Sequence, residues 1–183
     1  MTSDATRRLF AEHVLPHLDD VVSLARWLTG NATDAEDVAQ EACLRALKAL
    51  ERGPAENARA WLLAITRNTA FTWLARNRPK PVVLTADPQA DAGVLASVLP
   101  SVLANEPAQA PDAALIAAAD AASLEAALAE LPIQFRETLV MREIEDLSYR
   151  EIAEATGVPV GTVMSRLARA RQLLLVALKG RLG

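Results

Sequence analysis

The chain has 183 residues, of which 51% are hydrophobic and only 4% aromatic, a composition that favours helices and suits one ordinary domain or two small ones. The formal net charge is −4, which as a whole is not typical of a nucleic-acid-binding protein, and the single cysteine excludes an intramolecular disulfide. The start is polar and no apolar run reaches the length of a membrane span, so we expect a cytoplasmic protein with no membrane insertion.

Hydrophobic residues recur at helical spacing along most of the chain, and no alternating pattern typical of strands competes with them. The fold class we predict is therefore all-α. The predicted helices span residues 9–28, with a bend at Pro16, and then residues 33–50, 57–78, 112–129, 132–144, 148–156 and 160–178.

The second predicted helix has two different faces. It begins with a predicted capping box at residues 33–36, and an apolar stripe that includes the lone cysteine, Cys43, forms its core face, so we interpret Cys43 as a buried thiol rather than a redox switch. The other face carries Asp37, Gln40, Glu41 and Leu44 at helical spacing. An exposed leucine among polar groups indicates a partner surface, but an acidic helix start that is simply solvated explains the pattern equally well.

A proline-rich stretch divides the chain. Six of the ten prolines fall between Pro79 and Pro111, and residues 81–119 contain no Lys, Arg or His. Such a stretch is too interrupted for one long helix, so we predict a linker over residues 81–111 that joins a domain of residues 1–80 to a domain of residues 112–183.

The second domain contains a helix-turn-helix pattern. A capping box at residues 148–151 starts a short helix that ends at Gly157, and a longer helix follows. From residue 160 onward there are five basic residues and no acidic one. In the longer helix, residues 163, 167, 170 and 174 are predicted to face inward, and Thr162, Ser165 and Arg169 to lie on an exposed face flanked by Arg166 and Arg171. Such a face suits phosphate and base contacts in a DNA major groove, although a solvated charged helix is the alternative.

These residues resemble those of the extracytoplasmic-function (ECF) sigma factors, members of the sigma-70 family. The resemblance to region 4 rests on Leu131-Pro132, on Phe135-Arg136, on residues 148–153 and on residues 157–171. It implies that this helix reads the −35 promoter element, with base or phosphate roles for Ser165, Arg166 and Arg169. Two positions depart from the family pattern, where a basic residue is frequent in place of Met164 and a larger one in place of Ala168.

Residues 34–47 resemble region 2.2 of the same family, and residues 57–62 and 65–70 resemble regions 2.3 and 2.4. The first resemblance implies that Asp37, Gln40 and Glu41 contact the β′ clamp of RNA polymerase. The second implies a groove that holds the opened −10 strand, for which charge and a stacking surface are required. The candidates for −10 contacts are Arg52, Asn57, Arg59, Arg67, Trp73 and Arg76, whereas Trp61 and Ile65 are predicted to be core residues and Trp73 suits either role.

The resemblance implies a sigma factor that binds core RNA polymerase (β′ clamp and β) and promoter DNA, and that an anti-sigma factor holds inactive. Two alternatives stay open, namely a sigma-like decoy that captures an anti-sigma factor and a helix-turn-helix regulator unrelated to sigma factors. We predict no cofactor and no enzymatic activity, because the sequence contains no nucleophile–base pair, phosphate loop or metal-ligand set. We predict no metal site either, since His13 and His17 form a lone pair.

Overall fold

The computed structural model describes residues 3–53, 55–77 and 121–182, and all regular structure in these ranges is helical, as predicted. The elements are α1 (Ser3–His13), a 3-10 turn (Leu15–His17), α2 (Leu18–Thr29), α3 (Ala32–Leu50), α4 (Ala58–Asn77), α5 (Ala121–Glu130), α6 (Ile133–Glu143), α7 (Tyr149–Thr156) and α8 (Val160–Leu182). The predicted linker over residues 81–111 and the first part of the helix predicted at 112–129 lie outside the described residues.

The chain forms two compact units. The first comprises Met1–Val83 together with Val140–Gly157, and the second comprises Leu84–Leu139 together with Val158–Gly183. The first unit includes α7 because this helix packs against α4. Residues distant in sequence are therefore neighbours inside the first unit.

The core of the first unit lies where α2, α3 and α4 pack against one another, with α1 on α3. Its buried residues come at helical spacing from each element, which is how an amphipathic helix covers a core. The central cluster consists of Val14, Val21, Ala39, Ala42, Ala46, Leu50 and Leu62. Trp61, Ile65 and Cys43 pack against this cluster, so the predicted core role of the first two is confirmed.

Pro16 separates two helices instead of bending one. It lies in the 3-10 turn Leu15–His17, and α2 starts only at Leu18. Proline has no backbone N–H to donate and its ring clashes with the preceding turn, so an α-helix rarely continues through it. The prediction of a single bent helix over residues 9–28 is therefore wrong.

The start of α3 differs from the predicted capping box at residues 33–36. The cap is Asn31, whose backbone is extended and whose side-chain oxygen accepts a hydrogen bond from the Asp34 N–H at 2.8 Å. The amide group of Asn31 in turn donates to the Asp34 carboxylate. Asparagine is as good a cap as any residue and it comes first, so the helix begins one position earlier than predicted.

The capping box of α7 is present as predicted. Ser148 accepts from the Glu151 N–H at 3.3 Å, and the Glu151 carboxylate accepts from the Ser148 N–H at 2.7 Å. The helix ends at Gly157, whose φ of 71° lies in the left-handed region that glycine tolerates best. Leu147 and Ile152 beside the box are 1% and 0% exposed, so apolar burial adds to the cap in fixing where α7 starts.

In the second unit α8 packs against α5. The four α8 residues predicted to face inward are all buried, and so are Leu128 and Leu131 near the end of α5. Burying a leucine or valine side chain contributes about 1.5–3 kcal/mol, so this apolar face is the main force holding α8 in place.

Candidate functional site

The exposed face of α3 presents the four residues predicted to form a partner surface. Asp37, Gln40 and Glu41 are exposed, and 54% of Leu44 is accessible to solvent. The opposite face of the helix is buried in the core, so this face has a fixed orientation on a packed element. We call these four residues the α3 face.

The Glu41 carboxylate on the α3 face is hydrogen-bonded to a residue of the same helix. The Arg45 Nε donates to Glu41 Oε1 at 2.7 Å. That hydrogen bond lowers the pKa of the Glu41 carboxyl, with smaller contributions from the charges of Arg45, Lys48 and Arg76. Glu41 therefore stays ionised at neutral pH and keeps an acceptor for a basic or amide partner.

The first turn of α4 holds two of the residues predicted to contact the −10 strand. Asn57 caps the helix, accepting from the Ala60 N–H at 3.0 Å. Its side-chain amide also donates to the carboxylate of Glu151 at the start of α7. Both functional groups of the Asn57 side chain are therefore engaged within the first unit.

The guanidinium of Arg59 contacts three oxygen atoms. Its Nε donates to the Asp20 carboxylate at 2.7 Å, one terminal nitrogen donates to the backbone carbonyl of Glu145 at 2.6 Å, and the other lies 3.3 Å from the Glu145 carboxylate. The hydrogen bond to Asp20 is the main cause that raises the pKa of Arg59. The Arg59 side chain is 30% exposed, whereas that of Glu145 is 3% exposed.

Glu145 is ionisable and almost fully buried. Burial raises the pKa of its carboxyl, and this effect outweighs a hydrogen bond from Ser23 and the nearby Arg59, which both lower it, while Asp20 adds to the rise. The buried Oε1 of Glu145 has no hydrogen-bond partner among the described residues, whereas Oε2 lies 3.3 Å from a terminal nitrogen of Arg59. The hydrogen bond from Ser23 and the charge of Arg59 therefore compensate the buried carboxylate only in part.

The remaining −10 candidates are distributed along the first unit. The guanidinium of Arg67 lies over the Phe71 ring, 4.3 Å from its centroid, and one of its nitrogens donates to Asn68 at 3.1 Å. Trp73 is half-buried, and Arg52 and Arg76 are exposed. The structure therefore places Arg59 and Asn57 together at one end of α4 and the other candidates elsewhere.

The predicted exposed face of α8 is only partly exposed. Arg169 and Arg171 are exposed and Thr162 is half-buried, but Ser165 is 2% exposed and Arg166 is 8% exposed. The prediction that Ser165 lies on an exposed face is therefore wrong for this structure.

The burial of Arg166 is explained by its contact with Glu137. This residue is 1% exposed, and its carboxylate lies 3.9 Å from an Arg166 terminal nitrogen, forming an ion pair inside the second unit. A buried arginine needs such a partner. Ser165 donates its hydroxyl hydrogen to the Thr162 carbonyl at 3.0 Å, so it does not need solvent as a partner. By contrast, Arg169 is exposed, and one of its terminal nitrogens donates to its helical neighbour Gln172 at 3.4 Å.

Two family models match the chain, in the order in which the two motif sets occur. The model of Sigma-70 region 2 matches residues 13–79, and that of Sigma-70, region 4 matches residues 121–174. Together they cover well over half of the sequence.

Relatives match over most of the chain. The ECF RNA polymerase sigma factor SigE of Mycolicibacterium smegmatis is 36% identical over 163 residues, which are 89% of this chain and 59% of that relative. The RNA polymerase sigma-H factor of Pseudomonas aeruginosa is 34% identical over 177 residues, 94% of this chain and 88% of that protein. The chain belongs to the ECF sigma factors.

A solved structure has the same fold. The sigma factor RpoE of Bartonella quintana, in complex with the anti-sigma factor NepR, superposes with a TM-score of 0.66 at 25% identity, covering 93% of this chain and 96% of that one. Within this ECF sigma factor, region 2 contains α2, α3 and α4, and region 4 extends from α5 into α8. The region 4 residues 140–157 belong to the same compact unit as region 2.

Sequence reasoning missed three site residues in this ECF sigma factor: Asp20, Glu137 and Glu145. Each is a carboxylate that holds a candidate DNA-binding arginine. The two partners of each pair are 29, 39 or 86 positions apart in the sequence and meet through tertiary contact. No local motif marks such pairs.

Among the residues that the structure describes, no group of three or more His, Cys, Asp or Glu side chains is arranged to hold a metal ion. His17 lies 3.6 Å from the Asp20 carboxylate, beside the Arg59 pair. Within the same described ranges, no helix is both long and apolar enough to cross a bilayer.

Proposed function

We propose that this ECF sigma factor binds core RNA polymerase and directs it to promoters that carry a −10 and a −35 element. The observation that carries the proposal is the occurrence of regions 2 and 4 in one chain, with the α3 face exposed on the first. It performs no bond-making step itself in this proposal, because the polymerase supplies the catalytic chemistry.

The α3 face is the proposed contact with the β′ clamp. A leucine that is 54% exposed and surrounded by Asp37, Gln40 and Glu41 has the arrangement of an interface hot spot, an apolar anchor within a polar rim. The acidic groups would pair with basic side chains of the partner. The fixed orientation of α3 lowers the entropy lost on binding.

The proposed −10 contacts are Asn57 and Arg59 at the start of α4, together with Arg52, Arg67, Trp73 and Arg76. Arginines suit the backbone of a single strand, and an aromatic ring at Trp73 suits an unstacked base. On α8 the proposed −35 contacts are Thr162, Ser165, Arg166, Arg169 and Arg171. Arg169 and Arg171 are the two of these that are exposed, which supports their assignment most directly.

We also propose that the protein works in the cytoplasm and that an anti-sigma factor controls it. The support is that the similar RpoE of Bartonella quintana was solved with the anti-sigma factor NepR.

Transcription from purified components tests the proposal. Core polymerase is incubated with this protein and a library of genomic fragments, and transcript starts are mapped by sequencing. We expect starts that share upstream −10 and −35 sequences, and we expect Asp37→Ala to reduce them, while Asp19→Ala, a change of an equally exposed aspartate on α2, does not. Absence of core binding would overturn the proposal, and core binding without any specific start would favour the decoy alternative.

A further inference from the structure

Two ion pairs of very different burial connect α8 to other helices of the second unit. Near the start of α8, a terminal nitrogen of Arg166 lies 3.9 Å from the carboxylate of Glu137 on α6, and the two side chains are 9% and 1% exposed. Near the end of α8, Arg181 donates to the carboxylate of Glu130 on α5, and these side chains are 34% and 57% exposed. We call them the buried pair and the exposed pair.

The surroundings of Arg166 differ from those of the other arginines on α8. A side chain that contacts a phosphate or a base edge has to reach the surface of its helix. Arg169 and Arg171 are exposed, whereas Arg166 is buried. Its guanidinium also lies beside a carboxylate, and an arginine binds a carboxylate through the same N–H donors that it would offer to a phosphate. The geometry therefore favours a role for Arg166 inside the protein.

The buried pair can restrict the rotation of α8 about its own axis, which the apolar core alone restricts less. Apolar burial is not directional, and the apolar stripe of a helix that faces a core is about 100° wide. A buried ion pair tolerates less movement, because a buried charge that loses its partner is strongly unfavourable. Side chains of a binding site have to be held within about 10–20° of their productive direction. A rotation of α8 that separated Arg166 from Glu137 would also turn Arg169 and Arg171.

We propose that Glu137 and Arg166 are positioning residues, whose ion pair fixes the rotation of α8 so that Arg169 and Arg171 face the −35 element. Arg166 then affects promoter reading through the orientation of its helix and not through its own contact with DNA. The proposal rests on the proposed function, because it assumes that α8 reads the −35 element. The exposed pair has no such role, since an ion pair in solvent contributes little.

The test compares Glu137→Gln with Glu130→Gln in the full chain bound to core polymerase. Both variants replace a carboxylate by its amide and change the net charge equally, but one alters the buried pair and the other the exposed pair. The affinity of each holoenzyme is measured for a promoter fragment taken from the mapped transcript starts and for the same fragment with a scrambled −35 sequence. The ratio of the two affinities is the specificity ratio. A loss of folded protein lowers both affinities by the same factor, so destabilisation alone does not change this ratio.

We expect Glu137→Gln to lower the specificity ratio by about fivefold or more, the effect of one lost base contact, although every proposed DNA contact is still present. Glu130→Gln should keep the wild-type ratio. If Arg166 contacts DNA directly, its release from the carboxylate should leave the ratio unchanged or raise it, and that result would overturn the positioning role. An equal fall in Glu130→Gln would overturn it as well.

A double variant removes both buried charges together. Replacing a buried ion pair by apolar residues of similar volume is often neutral for stability, so we expect Glu137→Met/Arg166→Met to fold, which circular dichroism and urea denaturation check. The specificity ratio should again fall, while the slope of log affinity against log salt concentration should match that of the wild type. The loss of a phosphate contact would reduce that slope by about one, and this outcome would identify Arg166 as a DNA contact. A double variant with the wild-type ratio would show that α8 does not need the pair.

The wild-type holoenzyme separates a failure of this inference from a failure of the proposed function. A wild-type specificity ratio near one would remove the proposed reading of a −35 element by α8. A wild-type ratio well above one that Glu137→Gln leaves unchanged would remove only the positioning role of Glu137 and Arg166.

Discussion

The α3 face and the start of α4 lie in the same compact unit but are presented very differently. The α3 face is exposed, and Leu44 is 54% accessible to solvent. On this face the Glu41 carboxylate accepts a hydrogen bond from Arg45 of the same helix. The start of α4 has its polar groups bound by Asp20, Glu145 and Glu151. The comparison contrasts a surface that is open to solvent with one whose polar groups are already paired inside the first unit.

The pairing of Arg59 has a physical consequence. Free arginines on a protein surface attract nucleic acid of any sequence, because most of that affinity comes from phosphate charge. The carboxylates of Asp20 and Glu145 neutralise Arg59 within the first unit, and we expect this pairing to reduce such non-specific attraction.

The largest expected effect is at Leu44. Replacing it with arginine places a charge at the centre of the α3 face, where we expect a desolvated contact, and should weaken core binding by about 30-fold or more, equivalent to about 2 kcal/mol. Titration with labelled core polymerase measures this affinity. Val176→Arg on α8, at another exposed apolar position, is the control. Equal losses for both variants would remove the special role of the α3 face.

A smaller effect is expected at Arg169. Its replacement by alanine removes one proposed DNA contact and should reduce promoter binding by the holoenzyme by about tenfold, with core binding unchanged. Lys179→Ala removes an equally exposed charge further along α8 and should have little effect. If core affinity falls together with promoter affinity, the division of labour between the α3 face and α8 is wrong.

The next prediction concerns Asp20, the region 2 carboxylate that accepts a hydrogen bond from Arg59. Asp20→Asn keeps the shape but weakens the hydrogen bond to Arg59 Nε, and we expect the free energy of unfolding to fall by about 1 kcal/mol. Urea denaturation of the variant and of Asp19→Asn, its exposed neighbour, measures the difference. A fall of the same size in Asp19→Asn would show that the effect does not come from the Arg59 pair.

The smallest effects concern the acid titration of Glu145 and Glu151. The pKa of Glu151 is lowered, mainly by the hydrogen bonds of Ser148, so its stabilising contribution is present above its unfolded pKa and is lost as the pH falls through its lower folded pKa. The pKa of Glu145 is raised by burial, so its ionised form weakens the fold and this penalty disappears as the pH falls. Carbon NMR of the two carboxyl groups should give midpoints on opposite sides of the ordinary value of about 4.5. Midpoints in the reverse order would contradict the described packing around these two carboxyl groups.

The local features that depend on neighbouring residues in the chain could be predicted from the sequence. The capping box at Ser148, the turn at Gly157 and the buried stripe of α8 follow from spacing alone, and the structure contains all of them. The start of α3 was misplaced because two adequate caps lie within three residues, and Asn31 is the one whose backbone is extended.

What could not be predicted depends on tertiary contact. Arg166 is buried beside Glu137 from another helix, and Arg59 pairs with Asp20 and Glu145, which are 39 and 86 positions away. A charged residue on a helix gives no local sign of whether its partner is water, DNA or a distant carboxylate. For this reason the helices that carry the candidate residues could be predicted from the sequence, but the partners of those residues could not.

The position of Cys43 has a consequence for the chemical behaviour of this protein. The side chain packs against the core behind the α3 face, and burial raises the pKa of its thiol. Only the thiolate attacks peroxides and disulfides readily, and at neutral pH very little of Cys43 is in that form. We therefore expect the thiol of Cys43, although it lies next to Leu44 of the α3 face, to react slowly with oxidants at neutral pH.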